Sequence, residues 1–456
     1  MLLKFSSDED EGVVSPYINT GTLYDLSTGR YRKAIINGKE CWALDGGLSP
    51  CLAIIGRGQT YKSSIAGSLL AHAMLNYPEA EAYVYETESN VLGIERYNAL
   101  ADKPGTEFKK RMEFIDGTSM SVDEFYEKFK DLVALKRKHR KDYLVESPFI
   151  DPETGKKQMM WLPTIILIDS WSNVQSEKTS SLFNTTSVGD SSMNTMWYGE
   201  GNIRARIMKD ISHTAKINGI YFIMTAHVGE NAGMQQNPNI PPSKQLQYMR
   251  QSDKLKNVGS NFTLLTTGML QTLKASCLQD SNKECQYPYL GGNNLEINEI
   301  QTVIQRNKNN GSGHGVTFIC SQDTGVSNIL TNYNSLKQNS NYGLEVKGNG
   351  SHITPILYSG VTFNRKTIRG YSYENYEFSR AMEITAQLGY MKKTWTMSFQ
   401  PENVRAITIE TIAEAFAKDK ALADRILNST GSWSIGKTER EFLSLRDIID
   451  LVLPLK

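Results

Sequence analysis

The chain has 456 residues and a formal net charge of +1, with a mean hydropathy of −0.40. The length allows two or three domains, or one large core with additions, and the near-neutral balance leaves any nucleic-acid binding to local basic surface. Five cysteines without a C-x-x-C pair and six histidines without H-E-x-x-H argue against a disulfide framework and a zinc site, and point to a reducing compartment.

Taken in chain order, the first residues, MLLKFSSDEDEG, turn acidic too soon for a secretory signal. No apolar run approaches the roughly 20 residues of a membrane helix, so a cytoplasmic protein without membrane contact is expected. Residues 1–50 are a candidate subunit-docking segment. CLAIIG (51–56) reads as a buried strand ending in glycine. SSIAGSLLAHAML (63–75) has helical spacing, with Ile65, Leu69, Leu70 and Ala73 on one broad face. AEAYVYETES (80–89) is a second strand ending in carboxylates, followed by a helical stretch over 91–101. VDEFYEKFKDLVALKRKHRK (122–141) is an amphipathic helix with a basic tail. Its run KRKHRK is either a solvated helix end, complementing the dipole, or a secondary duplex-binding patch. Residues 142–163 read as an inserted hairpin or loop.

TIILIDSWSN (164–173) is an apolar strand ending at Asp169, and 174–200, rich in Ser, Thr, Asn and Gly, is expected to be a loop. NIRARIMKDISHTAKIN (202–218) reads as a helix, GIYFIMTAH (219–227) as a buried strand and 228–260 as a second long polar loop. Further strands are expected in NFTLLTTGMLQTLKAS (261–276) and IQTVIQRNK (300–308), with a hairpin over 315–325. The alternation predicts an α/β fold: a central, mostly parallel, twisted sheet with helices on both faces and a later antiparallel extension. The core spans 51–330. Residues 331–376 are a polar, weakly periodic insertion, and 377–456 a small α-rich C-terminal subdomain.

GRGQTYKSS (56–64) nearly matches the phosphate-binding pattern G-x-x-x-x-G-K-[ST], with Tyr61 where a glycine is usual. Strand, turn, Lys-Ser and helix are the context that pattern requires. A triphosphate needs backbone N–H groups at a helix N-terminus and a lysine for its charge. Gly56, Arg57, Gly58, Gln59, Thr60 and Tyr61 would form the cradle, with Lys62, Ser63 and Ser64 at the helix start; Gly56 and Gly58 would permit the turn. Ser63 can ligate Mg²⁺, and Asp169, ending IILID, can hold it through water. Glu86 and Glu88 are candidates for the carboxylate that orients the attacking water. The bland alternative is a turn that happens to contain Lys-Ser, because apolar strands ending in Asp are common.

Together these segments resemble RecA-type recombinases, most closely their phage branch, the UvsX-like proteins. YETES (85–89) is similar to the family's strand-end acidic motif, which implies Glu88 as the water-activating residue. LIDSWSN (167–173) resembles the phage version of the magnesium strand, and VGDSSM (188–193) resembles a motif of the first DNA-binding loop. MTAH (224–227) falls where the family carries a polar sensor, implying that His227 senses the γ-phosphate. QRNKN (305–309) resembles a pair of cations that reach the neighbouring subunit's ATP, implying Arg306 and Lys308. The branch carries an aromatic residue at the position of Tyr61, whose ring must then point away from the phosphates. The adenine-stacking aromatic should lie shortly after Glu88, and Tyr97 is the nearest.

Single strands are held by cations along phosphates with aromatic or apolar side chains between bases. The first loop offers Met193, Trp197 and Tyr198; the second offers Lys244, Arg250, Lys254 and Lys256. Without the ATPase frame both would read as polar loops with a few buried anchors. The resemblance implies a DNA-dependent ATPase using ATP and Mg²⁺. It would filament on single-stranded DNA, pair it with duplex, and act with single-strand-binding and mediator proteins in the cytoplasm of a phage-infected bacterium. A hexameric replicative helicase and a non-catalytic scaffold or mediator are the alternatives.

Overall fold

The computed structural model describes residues 12–88, 93–177, 192–230, 244–259, 261–289, 297–309, 311–396, 400–436 and 439–455, with backbone alone at 192–200 and 455. The elements open with β1 (Val13–Val14), α1 (Leu23–Thr28), β2 (Arg30–Ile36), β3 (Lys39–Asp45), β4 (Cys51–Gly56), α2 (Lys62–Asn76), β5 (Glu81–Glu86), α3 (Ile94–Leu100), β6 (Met112–Asp116) and α4 (Val122–Lys138). After the short α5 (Arg140–Tyr143) come β7 (Leu144–Ile150), β8 (Lys157–Trp161), β9 (Thr164–Asp169), α6 (Ser192–Ile217), β10 (Ile220–Glu230) and β11 (Asp253–Leu255). α7 (Phe262–Leu265), β12 (Gly268–Cys277), β13 (Asn298–Asn307), β14 (Phe318–Ser321) and β15 (Gly325–Val326) complete the central region. α8 (Asn328–Gln338), the hairpin β16 (Leu344–Lys347) and β17 (His352–Pro355), and helices from α9 (Ile368–Glu374) to α14 (Leu445–Val452) follow.

The main sheet has the order β15-β14-β13-β12-β4-β10-β9-β5-β6, with β11 added to the far end of β10. From β12 to β6 all pairings are parallel; β13, β14 and β15 add an antiparallel wing. This is the mixed α/β architecture expected from the alternation. β10 lies between β4 and β9, so the glycine loop and Asp169 are one strand apart. The carboxyl ends of the parallel strands share one edge: His227 and Thr272 both stand opposite Gly56, and Asp169 stands opposite Glu86.

β4 shows how the sheet divides the interior. Leu52 and Ile54 belong to one core, and Cys51, Ala53 and Ile55 to the other, as a two-residue period dictates. α2 covers the first face through Ile65, Leu69 and Leu70; α4 and α6 cover the second through Phe125, Phe129, Met208 and Ile211. α4 starts on a capping box, Ser121 Oγ accepting from Glu124 N while Glu124 accepts from Ser121 N. The first core continues into a second, five-stranded sheet (β1-β8-β7-β2-β3) and the C-terminal helices. There Trp433 Nε1 donates to Leu44 O (3.0 Å) and its ring meets Phe149 edge-on at 5.0 Å. Among the described residues no helix is long and apolar enough to cross a membrane.

Three local expectations change. The supposed loop 174–200 is helical from Ser192 onward; glycines at 199 and 201, each a poor helix former, hide the pattern. The second loop is narrower than 228–260, because Val228–Glu230 and Asp253–Leu255 pair antiparallel. The run KRKHRK, read as solvent-facing on either account, is partly structural. Lys136 is fully buried and donates to Leu162 O (2.8 Å) and Thr164 Oγ1 (3.0 Å). Arg137 Nε donates to Asn218 Oδ1 (2.8 Å), and Arg140 covers the Trp161 ring at 5.4 Å.

Candidate active site

The loop after β4 turns through left-handed backbone at Gln59 (φ 58°) and Tyr61 (φ 62°), and not at the two glycines expected to permit the turn. Gly56 is required for another reason: a Cβ there would meet Thr272 Oγ1 at 2.0 Å and Thr60 Oγ1 at 2.7 Å. Those two hydroxyls lie 2.6 Å apart, and Thr60 Oγ1 also donates to Arg57 O (2.7 Å). A left-handed non-glycine residue costs about 1–2 kcal/mol. Tyr61 is anchored against that cost. Its ring packs on the first core, and its hydroxyl accepts from Asn298 Nδ2 of β13 at 2.5 Å. Gly58 and Gln59 are exposed at the loop tip, while Thr60, Lys62 and Ser64 are buried.

Lys62 opens α2 with its Nζ on Arg57 O (2.9 Å), inside the loop. Burial lowers its pKa, and the negative charges of Asp169 and Glu88 pull it back up. Next to it, Asp169 accepts from Thr225 Oγ1 (2.5 Å) and feels the Ser63 hydroxyl nearby. Burial pushes the Asp169 carboxyl above its usual range, against the pull of these hydroxyls. The tips of β5 and β9 are clamped by Thr87: its N donates to Asp169 O (2.8 Å), and its Oγ1 accepts from Ser170 N (2.8 Å) and donates to Ser170 O (3.0 Å).

Glu88 stands just beyond β5, its N held by Glu86 Oε1 (2.9 Å). Its Oε1 lies 2.8 Å from His227 Nε2 and accepts from Asn173 Nδ2 (3.0 Å). The His227 contact is the main cause holding the Glu88 carboxyl below its usual value; burial works the other way. His227 is fixed by its backbone: its N donates to Ser172 Oγ (3.0 Å), and its O accepts from Lys256 N (2.9 Å).

The remaining expected residues fall elsewhere. Tyr97 is a core residue of α3, 7% exposed, with its ring 5.5 Å from Phe114 and its edge against Gly67, so it presents no free face to a purine. Arg306 donates to Thr263 O, and Lys308 N donates to Thr267 O (3.2 Å). Arg306 pairs with Met269, which stands opposite Ala53, three residues before Gly56. At about 3.3 Å per residue, Arg306 starts roughly 10 Å down the sheet from its own glycine loop, and Lys308, level with Cys51, starts farther still. Lys244, Arg250, Lys254 and Lys256 are exposed beside the carboxyl edge. Met193, Trp197 and Tyr198 lie in the first turns of α6, with side chains outside the described residues, as are residues 178–191 with most of VGDSSM.

Thr225, Thr87, Thr272 and Asn298 were not anticipated. Thr225 and Thr87 lie inside the quoted motifs MTAH and YETES, so the signal was present. Thr272 and Asn298 come from strands distant in sequence, and no spacing announces them.

No protein-family model matches the chain, and no curated protein matches it. Among solved structures, the crystal structure of the RadB recombinase is similar over 62% of this chain and 92% of that one, at 13% identity and a TM-score of 0.33.

Proposed function

We propose that the chain is an ATP-hydrolysing recombinase of RecA type that assembles on single-stranded DNA and promotes homologous pairing. The observation that carries this reading is the gathering of Lys62 in the glycine loop, the buried Asp169 carboxylate and the Glu88–His227 pair on one carboxyl edge of the sheet, with Ser63 beside Lys62. A hydroxyl at the helix start and a buried carboxylate at the neighbouring strand tip, in a site with lysine charge, suit a magnesium ion that shares its ligands with phosphates and water.

Ser63 and Asp169 would hold that ion, which supplies charge neutralisation on the phosphates. The backbone of 57–61 and the α2 N-terminus face the phosphates, and Lys62 exchanges Arg57 O for phosphate oxygen. Glu88 accepts a proton from the attacking water, while His227 and Asn173 fix the carboxylate that does so. Arg306 and Lys308, displaced from their own loop, act on the ATP of a neighbouring copy. That placement favours assembly with nucleotide at the seam. The exposed cations Lys244, Arg250, Lys254 and Lys256 hold the DNA backbone.

The test is ATP turnover with and without single-stranded DNA, followed by electron microscopy of the same mixtures. DNA-stimulated turnover that Lys62→Ala abolishes in a folded protein, with open filaments on DNA, is the expected result. Closed rings without DNA favour the helicase reading, and no turnover in the wild type favours a scaffold.

A further inference from the structure

β11 stands off the main path of the sheet and alternates sharply. Asp253 and Leu255 point inward, and Lys254 and Lys256 outward. The inward carboxylate is 4% exposed, and a buried charge must be paired. Asp253 Oδ1 accepts from Arg57 of the glycine loop at 2.8 Å, and Oδ2 accepts from Gln271 Nε2 at 3.2 Å. Gln271, itself 2% exposed, accepts from Gln305 Nε2 at 2.6 Å. It stands opposite Ile55, one residue before Gly56. The carboxylate is therefore wedged between the sheet and the loop and held from both sides.

The same strand reaches the other end of the site through its backbone, because Lys256 N donates to His227 O and Ser172 Oγ donates to Lys256 O (3.0 Å). Arg57 differs from Lys62 in exposure. Its side chain is 43% exposed and has a second carboxylate, Glu230, at 3.5 Å. A guanidinium at the mouth of a phosphate loop has two classes of anion within reach, these carboxylates and a triphosphate. Moving it toward phosphate strips the buried carboxylate of its strongest partner, which costs far more than breaking a surface pair. β11 must then shift, or its own cations must compensate.

We propose that Asp253 is a positioning residue that links nucleotide on the glycine loop, through Arg57, to a single-stranded DNA backbone on the outer cations of β11. The inference rests on the reading above of the loop as a nucleotide site and of this face as a DNA site. Linkage is reciprocal: whatever DNA does to the set of Arg57, nucleotide does to the set of β11.

The experiment measures, on the full chain, the ratio of ATP turnover with saturating oligo-dT to turnover without it. It compares wild type, Asp253→Asn, Arg57→Gln and the double variant, with melting midpoints recorded alongside. The ratio cancels uniform losses from a weakened fold. Asp253→Asn is expected to lower it about fivefold or more, and the double variant to fall no further than Arg57→Gln alone. Arg57→Lys, which keeps charge but loses the fork, should give an intermediate ratio, and it serves if Asp253→Asn does not fold. A wild-type ratio in Asp253→Asn, or losses that multiply in the double variant, overturns the link while leaving the site reading intact. A wild type whose turnover ignores DNA overturns both.

Discussion

Glu88 Oε1 and His227 Nε2 lie 2.8 Å apart across the carboxyl edge of the sheet, on strand ends that are not neighbours. The pair joins the candidate water-activating carboxylate to the strand that leads into the second polar segment. Asn173 holds the same oxygen from the β9 side.

Removing the imidazole should therefore leave nucleotide bound but poorly processed. His227→Ala is expected to lower kcat about 100-fold through misplacement of Glu88, with nucleotide affinity within a few-fold of wild type. His227→Gln, which restores an N–H donor, should recover part of the loss. Steady-state kinetics with a parallel fluorescent-nucleotide titration reads both. A kcat unchanged in His227→Ala would remove His227 from the mechanism.

The acid side follows from the same contact. Glu88 has a folded-state pKa below its ordinary 4.5, so its pairing stabilises the fold fully above that value. That contribution is lost as pH falls through the folded value. Urea midpoints of wild type and Glu88→Gln should differ at pH 6 and converge toward pH 3. A constant gap across that range contradicts the assignment.

Tyr61 is held by Asn298 and by packing on the first core, which makes its ring a structural anchor of the loop. Tyr61→Phe should cost about 1 kcal/mol, the usual net worth of one hydrogen bond. Nucleotide affinity should remain at wild-type level. Chemical denaturation and nucleotide titration of the same variant test this, and a large loss of affinity without a loss of stability would place the ring in the phosphate site.

Much of this was legible in the chain. CLAIIG, TIILID and GIYFIMTAH are apolar runs with clear ends, and strands buried on both faces leave that trace. The same strands carry Gly56, Asp169 and His227 to their carboxyl ends, so the motif order already implied a common edge. What could not be read were contacts across sequence. Asn298 reaches Tyr61, Thr272 meets Thr60, and Asp253 takes Arg57; each joins residues from strands far apart in the chain. Tyr97 was misassigned because position after Glu88 says nothing about burial. Lys136 was misread because a cation within a basic run looks solvated, although its stem and head pass beneath Leu162 and Thr164.

Lys136 yields a prediction of its own. Burial pushes its ammonium from 10.5 down to about 7. Between those values the unfolded chain binds more protons than the folded one, so stability should rise with pH across that window. Wild type should gain stability from pH 7 to pH 9 in urea titrations, and Lys136→Met should show a flatter profile. Equal slopes for the two proteins would mean that Lys136 is not neutralised by its burial.

The central claim is that Glu88 drives hydrolysis of a nucleotide gripped by Lys62, Ser63 and Asp169. The most direct measurement is single-turnover ATP hydrolysis by Glu88→Gln beside its ATP affinity in magnesium buffer. Affinity like that of the wild type with hydrolysis slowed about 100-fold or more is the predicted result. Hydrolysis at the wild-type rate in Glu88→Gln would contradict the account.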